Sequence, residues 1–237
     1  MIELGVSATR VVRILWLCAA AVVALSIAIE CLDAWFPDAY GMHTAGRVLR
    51  LRGERNVGAL FSGLLLASAA GLLAVVGAVE RASGGRDARY WQWLSVGFLY
   101  LCADEVLSLH ERLHAPMREV LGEGRPGGLY FAWVLPAMFI VLVIGVGFFR
   151  FWSRLERPVR TWTAVAAAIY LGGAIGMEMV DGAYAKVHGF DSAYVALVTA
   201  EETMEMCGVI VFIGTLLRLL GSRGPIVFRP RGQSRVA

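Results

Sequence analysis

The sequence lacks the short motifs that identify many soluble enzymes. It contains no GxSxG nucleophile elbow and no Ser-His-Asp order. Its glycine-rich stretch at 122–128 has no strand–helix context of the kind that a phosphate-binding loop needs. Only Lys186 is a lysine among 22 basic residues, and the basic residues flank apolar segments throughout. We therefore expect no nucleotide site and no nucleic-acid partner.

Cysteine is also scarce and unpatterned. The four cysteines, at positions 18, 31, 102 and 207, show no CxxC spacing. A lone cysteine is usually a small buried hydrophobe, so the spacing favours unpaired cysteines over a structural disulfide. The absence of a thiolate pair also argues against a site for Cu(I).

Long apolar segments are what the sequence has in excess. Of the 237 residues 58% are hydrophobic, and the mean hydropathy is +0.64, whereas soluble domains are roughly 45–50% apolar. Six segments reach the roughly 20 residues needed to cross a bilayer. They lie at approximately 14–32, 57–79, 90–110, 129–149, 161–184 and 194–217. We predict an all-α, polytopic membrane bundle of six transmembrane helices over 1–221, followed by a disordered basic cytoplasmic tail over 222–237.

The arginines predict how the bundle is oriented. If the N-terminus is cytoplasmic, the inner side holds 14 of the 22 basic residues, and the outer side holds 15 of the 19 acidic residues. The positive-inside rule then places both termini in the cytoplasm, as in a bacterial-type inner membrane. The outer segment 44–56 mixes four arginines with Val48, Leu49 and Leu51, which predicts a short amphipathic helix at the membrane interface.

Acidic residues stand inside the apolar segments, near their outer ends. A carboxylate in hydrocarbon costs roughly 2.5–3.5 kcal/mol on insertion scales, so such groups usually serve a site. The odd-numbered segments end on the outer side and the sixth begins there, so we expect their acids to meet at one depth. These acids are Glu30, Asp33, Asp104, Glu105, Glu178, Asp181, Glu201, Glu202 and Glu205.

The third segment carries the densest polar pattern. At 100° per residue, four polar residues share one face of a continuous helix: Asp104, Ser108, Glu111 and His114. Glu111 and His114 form an ExxH pair that can reach one metal ion, as in carboxylate-bridged di-metal bundles. His110 and His114 are spaced i, i+4, which also suits a metal on one helix face.

The acids of the sixth segment allow a plainer interpretation. If the helix began near Thr199, Glu201 and Glu202 would lie in its first turn, where the positive end of the helix dipole stabilises acidic side chains. That explanation is poor for Glu205, and it fails if the helix begins near Ser192.

Like charges this close cannot all stay ionised. They can hold protons, pair with Arg112, Lys186 or the arginines of 44–56, or bind a cation. The nearby basic residues suffice for only some of the acids, so we predict a divalent transition metal, Fe, Mn or Zn. The predicted ligands are His110, Glu111, His114, Glu178, Asp181, Glu201 and Glu205. Asp104 and Glu202 are predicted as supporting carboxylates or the general base.

Three classes of function fit this pattern. The first, slightly favoured, is a metal-dependent hydrolase or oxidoreductase acting on a lipid or small apolar substrate. The second is a divalent-cation or proton-coupled transporter, although the inner halves of the segments carry few ionisable groups. The third is a non-catalytic accessory subunit of a membrane complex, for which Glu201 and Glu205 would point outward.

Overall fold

Helices make up almost all of the structure. The computed structural model describes residues 7–36, 46, 48–53, 56–122 and 124–223, and none of these residues forms a strand. The long helices are α1 (Ala8–Trp35), α2 (Val57–Ala82), α3 (Ala88–Leu107), α4 (His114–Leu121), α5 (Val134–Arg154), α6 (Arg157–Leu171), α7 (Glu178–His188) and α8 (Ser192–Ser222). Two 3₁₀ helices, His110–Leu113 and Gly127–Leu129, and a π-helical turn, Gly172–Met177, lie between them.

Five helical segments in the described part of the chain are long and apolar enough to cross a membrane. They are α1, α2, α5, the continuous run from α6 through the π turn to α7, and α8. This finding confirms the prediction of an all-α, polytopic membrane helix bundle.

The remaining predicted span corresponds to α3, which is 20 residues long and carries charged residues near both ends. It runs antiparallel along α2. The Ser95 hydroxyl donates a hydrogen bond to the Ala70 carbonyl (2.8 Å), and Gly63 lies against the side chain of Val106. Thus α3 covers much the same depth as α2. The count of six crossings and the cytoplasmic location of both termini stay predictions.

The centre of the bundle is formed by α2 and α8. Half of the apolar stretch of α2 (50%) and more of that of α8 (61%) is buried, compared with 11% for α1 and for α5. Leu73 on α2 and Ile210 and Leu216 on α8 have no exposed surface. The peripheral helices therefore leave most of their apolar side chains facing outward, as lipid-contacting helices do.

The segment predicted as an interfacial helix differs from that expectation. Of residues 44–56, only positions 46, 48 and 49 are helical in the described part of the chain. Leu51 is 1% exposed and belongs to the hydrophobic core, and its backbone N–H donates to the Ser26 hydroxyl (2.9 Å). Leu51 therefore faces the core and not the membrane interface, while positions 44, 45, 47, 54 and 55 of the predicted short helix lie outside the described residues.

The same segment supplies partners for the acids at the end of α1. Arg50 contacts Asp33 (2.6 Å) and Glu30 (3.5 Å), and Arg52 contacts Glu30 (2.8 Å). Pairing with arginines, one of the three predicted solutions, therefore applies to Glu30 and Asp33. These two acids take no part in the site described below.

The structure tests the expectation on the cysteines but hardly that on the C-terminal tail. All four cysteines are free, as their spacing indicated. The last described helix, α8, ends at Ser222, and the predicted tail lies almost entirely outside the described residues.

Substitution of Gly208 tests how closely α8 packs against α6. A Cβ atom at Gly208 would lie 2.7 Å from the backbone nitrogen of Tyr170 on α6, whereas one at Gly176 would meet nothing within 4 Å. Alanine is the better helix former by about 1 kcal/mol, so Gly176→Ala should be neutral or mildly stabilising. We expect Gly208→Ala to lower the free energy of unfolding by about 1–3 kcal/mol, because a backbone must move.

The measurement is detergent-induced unfolding of both variants in mixed micelles. Equal stability of the two variants would contradict the close approach of α6 and α8.

Candidate functional site: an acid-lined cavity

The third predicted helix breaks where the sequence gave no warning. Helix α3 ends at Leu107, and Ser108 adopts a left-handed conformation (φ 51°, ψ 50°), which is uncommon for a residue other than glycine. The chain then continues as a 3₁₀ helix and α4. The prediction that Asp104, Ser108, Glu111 and His114 share one face of a continuous helix is therefore wrong.

The break brings Asp104 to His110 instead. One Asp104 oxygen accepts the backbone N–H of His110 (2.8 Å), and the other lies 2.9 Å from its Nδ1. With the proton on Nδ1, the ring donates to Asp104 and keeps its lone pair on Nε2. Asp104 thereby fixes both the loop and the orientation of the imidazole.

A cavity of about 300 Å³ lies beside this loop. Residues from the end of α3, the 3₁₀ helix, α4, α5, the π turn, α7 and α8 line it. Seven carboxyl groups and two imidazoles belong to the lining: Asp104, Glu105, His110, Glu111, His114, Glu178, Glu201, Glu202 and Glu205. Eight of the nine predicted site residues are among them, and they come from three separate parts of the sequence, 104–114, 178 and 201–205.

Asp181 is the predicted ligand that does not line the cavity. It has no exposed surface, and neither of its oxygens accepts a hydrogen bond from an N–H or hydroxyl group in the described part of the structure. Its neighbour is the Glu201 carboxyl, which lies in hydrogen-bonding reach of both Asp181 and Glu178. Two carboxyl groups can share a hydrogen bond only when one holds a proton. The three acids therefore lie close enough that a proton on one of them would allow a hydrogen bond to its neighbour.

The π turn and a glycine set the spacing of these acids. A Cβ at Gly173 would lie 3.0 Å from the Glu201 carbonyl oxygen and 3.0 Å from Cγ of Glu205, so only glycine lets the π turn touch α8 here. Gly172 also faces α8, whereas a Cβ at Gly176 would meet nothing within 4 Å. π turns inside α-helices occur frequently at functional sites.

Helix α8 begins well before its acids. Asp191 caps it by accepting the backbone N–H groups of Ala193 and Tyr194 (3.0 Å each), and the helix starts at Ser192. Glu201, Glu202 and Glu205 are therefore two to four turns inside the helix. The helix dipole does not explain them, since its effect falls off within the first turn.

Trp133 was missed as a site residue because an aromatic near a span end resembles a membrane-interface anchor. Its indole N–H donates to Glu178 (2.8 Å), and its ring lies 4.6 Å from the His110 ring. Trp133 therefore connects the Asp104–His110 pair to the acids of α7. Tyr170 and Tyr194 also line the cavity and were likewise not predicted.

Basic residues in the described structure do not line the cavity. The Lys186 ammonium, a predicted partner of the acids, donates to the Arg125 carbonyl (2.5 Å) instead. Arg50 and Arg52 are engaged with the end of α1. Arg47 and Arg55 lie outside the described residues.

The geometry of the described residues does not support the metal prediction. Within the described ranges, no three His, Cys, Asp or Glu side chains are placed so that they could hold one ion together. The acids surround the cavity without converging on a point. Their roles as ligands, and those of Asp104 and Glu202 as supporting groups, stay predictions.

The fold and cavity define a helical membrane protein with an acidic internal cavity. The chain matches the family described as "Domain of unknown function (DUF8692)" over residues 14–220, and it belongs to that family. No curated protein and no solved structure matches it.

His114 provides a test of the cavity's electrostatics. Burial lowers the pKa of His114 below its ordinary 6.5, while Glu178 and Glu111 partly oppose that effect. We expect nitrogen NMR of chelator-treated protein to show a His114 midpoint below 6.5, assigned with His114→Asn. Glu178→Gln should lower the midpoint further, because it removes a charge that favours the imidazolium.

The lowered pKa of His114 also predicts how protonation of this residue affects the stability of the fold. The unfolded chain binds this proton more readily than the folded one, so His114 destabilises the fold as pH falls through about 6.5. A midpoint above 6.5, or one that Glu178→Gln raises, would contradict the described surroundings of His114.

Proposed function

We propose that this protein is a membrane enzyme whose acidic cavity binds a divalent transition metal and acts on a lipid or small apolar substrate. The observation that carries the proposal is the composition of the cavity lining. Seven carboxyl groups and two imidazoles surround it, and no lysine or arginine in the described part of the chain contributes to it. Such an excess of negative groups in an apolar bundle needs protons or a cation.

Protons account for part of that excess. A proton shared among Glu178, Asp181 and Glu201 would lower the negative charge at the α7–α8 contact. The acids contributed by α3, the 3₁₀ helix and the next turn of α8 surround the same space. A divalent ion between them would neutralise two charges at once, and it would require the carboxylates to turn toward the centre of the cavity.

The donor set favours Fe, Mn or Zn. Carboxylates combined with imidazoles suit these ions, whereas all-oxygen sites suit Mg or Ca. The Asp104–His110 hydrogen bond is the arrangement that usually orients a metal-binding histidine, with the second nitrogen as ligand. Glu111, His114, Glu178 and Glu205 are the other proposed ligands. A bound metal would supply water activation or redox chemistry.

We place the cavity on the extracytoplasmic side of a bacterial-type inner membrane. The arginine-rich ends of the helices meet at the opposite end of the bundle. There Arg223 contacts Glu80 (2.6 Å), joining α8 to α2, and Arg154 contacts Asp87, joining α5 to the start of α3. The positive-inside rule assigns that end to the cytoplasm.

Metal content tests the proposal directly. We expect the purified protein to retain Fe, Mn or Zn, and we expect Glu111→Gln/Glu205→Gln to lower metal affinity by at least about tenfold, as loss of groups around a metal site commonly does. The measurement is elemental analysis after dialysis against buffered metal. The matched control is Glu119→Gln/Glu156→Gln, which removes two exposed carboxylates outside the cavity.

Equal metal content in the wild type and both double variants would remove the metal proposal. A selective loss in the first double variant alone would support it.

Transport is the second candidate, and the carboxyl contacts favour it specifically. A proton held between Asp181 and Glu201 could be exchanged for a cation entering the cavity. Under this alternative, the pH inside proteoliposomes, reported by an enclosed pH-sensitive dye, would change when a divalent cation is added outside. Asp181→Asn would abolish that change. Under the enzyme proposal we expect no cation-dependent pH change with either protein.

A docking role for the acids is not favoured. Glu201 is buried and lines the cavity, so it does not present its charge to a partner.

A further inference from the structure

Helix α5 is the peripheral helix that borders the cavity, and its middle stands apart from the bundle. From residue 138 to residue 147 every residue except Val141 is exposed. A helix packed along its length would bury a residue every three or four positions. Here Ile144 is 48% exposed, and a Cβ at Gly145 would meet nothing within 4 Å. A gap therefore lies between this part of α5 and the other helices.

The two ends of α5 are attached. At one end Trp133, directly before α5, donates to Glu178 on α7. At the other end Phe151 stacks on Tyr90 (ring centroids 4.9 Å) and meets Trp91 edge-on (5.0 Å). The gap is thus a crevice closed at both ends and open along the side of the bundle.

The crevice leads into the acid-lined cavity. Ala137 and Val141, the only residues within α5 that line the cavity, face an apolar wall from α3, α6 and the π turn that includes Leu101, Ala174 and Ile175. The carboxyl groups lie on the remaining walls. One continuous space therefore has an apolar side next to the membrane interior and an acidic side within the bundle.

We infer that this crevice admits the hydrocarbon chain of an electrically neutral lipid, whose hydroxyl or amide head group lies among the carboxyl groups. The inference rests on the proposed function, and it names the class of substrate and its route. The substrate reaches the cavity sideways from the bilayer between α5 and the helices behind it.

The acidic lining of the cavity favours an uncharged head group over an anionic one. A phosphate or carboxylate head group would meet seven carboxyl groups, and no basic side chain of the described residues is there to receive it. One bound divalent ion would still leave carboxyls in excess. A hydroxyl or amide group carries no charge and can donate hydrogen bonds to carboxylate oxygens.

A large side chain placed in the crevice provides the test variant. Val141 lines the cavity from the otherwise exposed stretch 138–147 of α5, so a tryptophan there would fill the crevice. Val146 lies on the same helix and is 70% exposed, so Val146→Trp places the same bulk on the outward face. Both variants keep every ionisable group of the cavity.

The experiment uses the full-length protein in phosphatidylcholine nanodiscs with photoreactive probes. Diacylglycerol and phosphatidylglycerol carry the same diazirine-labelled chains, and mass spectrometry maps the crosslinked residues. We expect diacylglycerol to label residues of the crevice, including Ala137, Val141 or Ile175, about tenfold more than phosphatidylglycerol does, a difference of about 1.4 kcal/mol. Val141→Trp should abolish that labelling, and Val146→Trp should leave it unchanged.

Three results would overturn the inference. They are equal labelling of the crevice by both lipids, labelling that Val141→Trp does not reduce, and labelling confined to the outward face of α5. A crosslink between two copies of the chain at the crevice would likewise reject a lipid occupant.

Metal content, measured on the same samples, separates this inference from the proposed function. Retained metal without crevice labelling would reject only the lipid route. Selective labelling without any metal would reject only the metal.

Discussion

The close approach of α6 and its π turn to α8 is the contact on which the site depends. Gly208 lets α8 meet the backbone of Tyr170, and Gly173 lets the π turn meet Glu201 and Glu205. Without side chains at these two points, the acids of α7 and α8 come within hydrogen-bonding reach of each other. A larger residue at either position would separate the helices and open the carboxyl contacts to the surroundings.

The second constraint is the use of basic groups elsewhere in the bundle. Arg50 and Arg52 neutralise the acids at the end of α1, and Lys186 is held by the carbonyl of Arg125. The cavity therefore keeps its negative character within the described structure. That character favours a cation or shared protons inside the cavity, and it disfavours an anionic ligand.

Much of the fold was predictable, because the bilayer imposes a length and a polarity that a sequence shows directly. Helices cover most of each of the six predicted spans, and the acids of the third, fifth and sixth spans meet as their positions near the outer ends indicated. Those of the first span do not join them, because they pair with arginines. The failures are local. The left-handed Ser108 breaks the expected polar face, since no glycine marks the turn, and Leu51 enters the core from a segment that looked interfacial.

The sequence by itself determined the class of protein, its helical content and most of the acids that line one cavity, because burying charges in apolar helices has few solutions. Only the tertiary structure decided which acids pair with arginines, which lie beside one another and which line a cavity. It also decided that Asp104 holds His110, that Trp133 joins them to Glu178, and that α5 stands apart. These depend on side-chain contacts between distant parts of the chain, which helical periodicity does not encode.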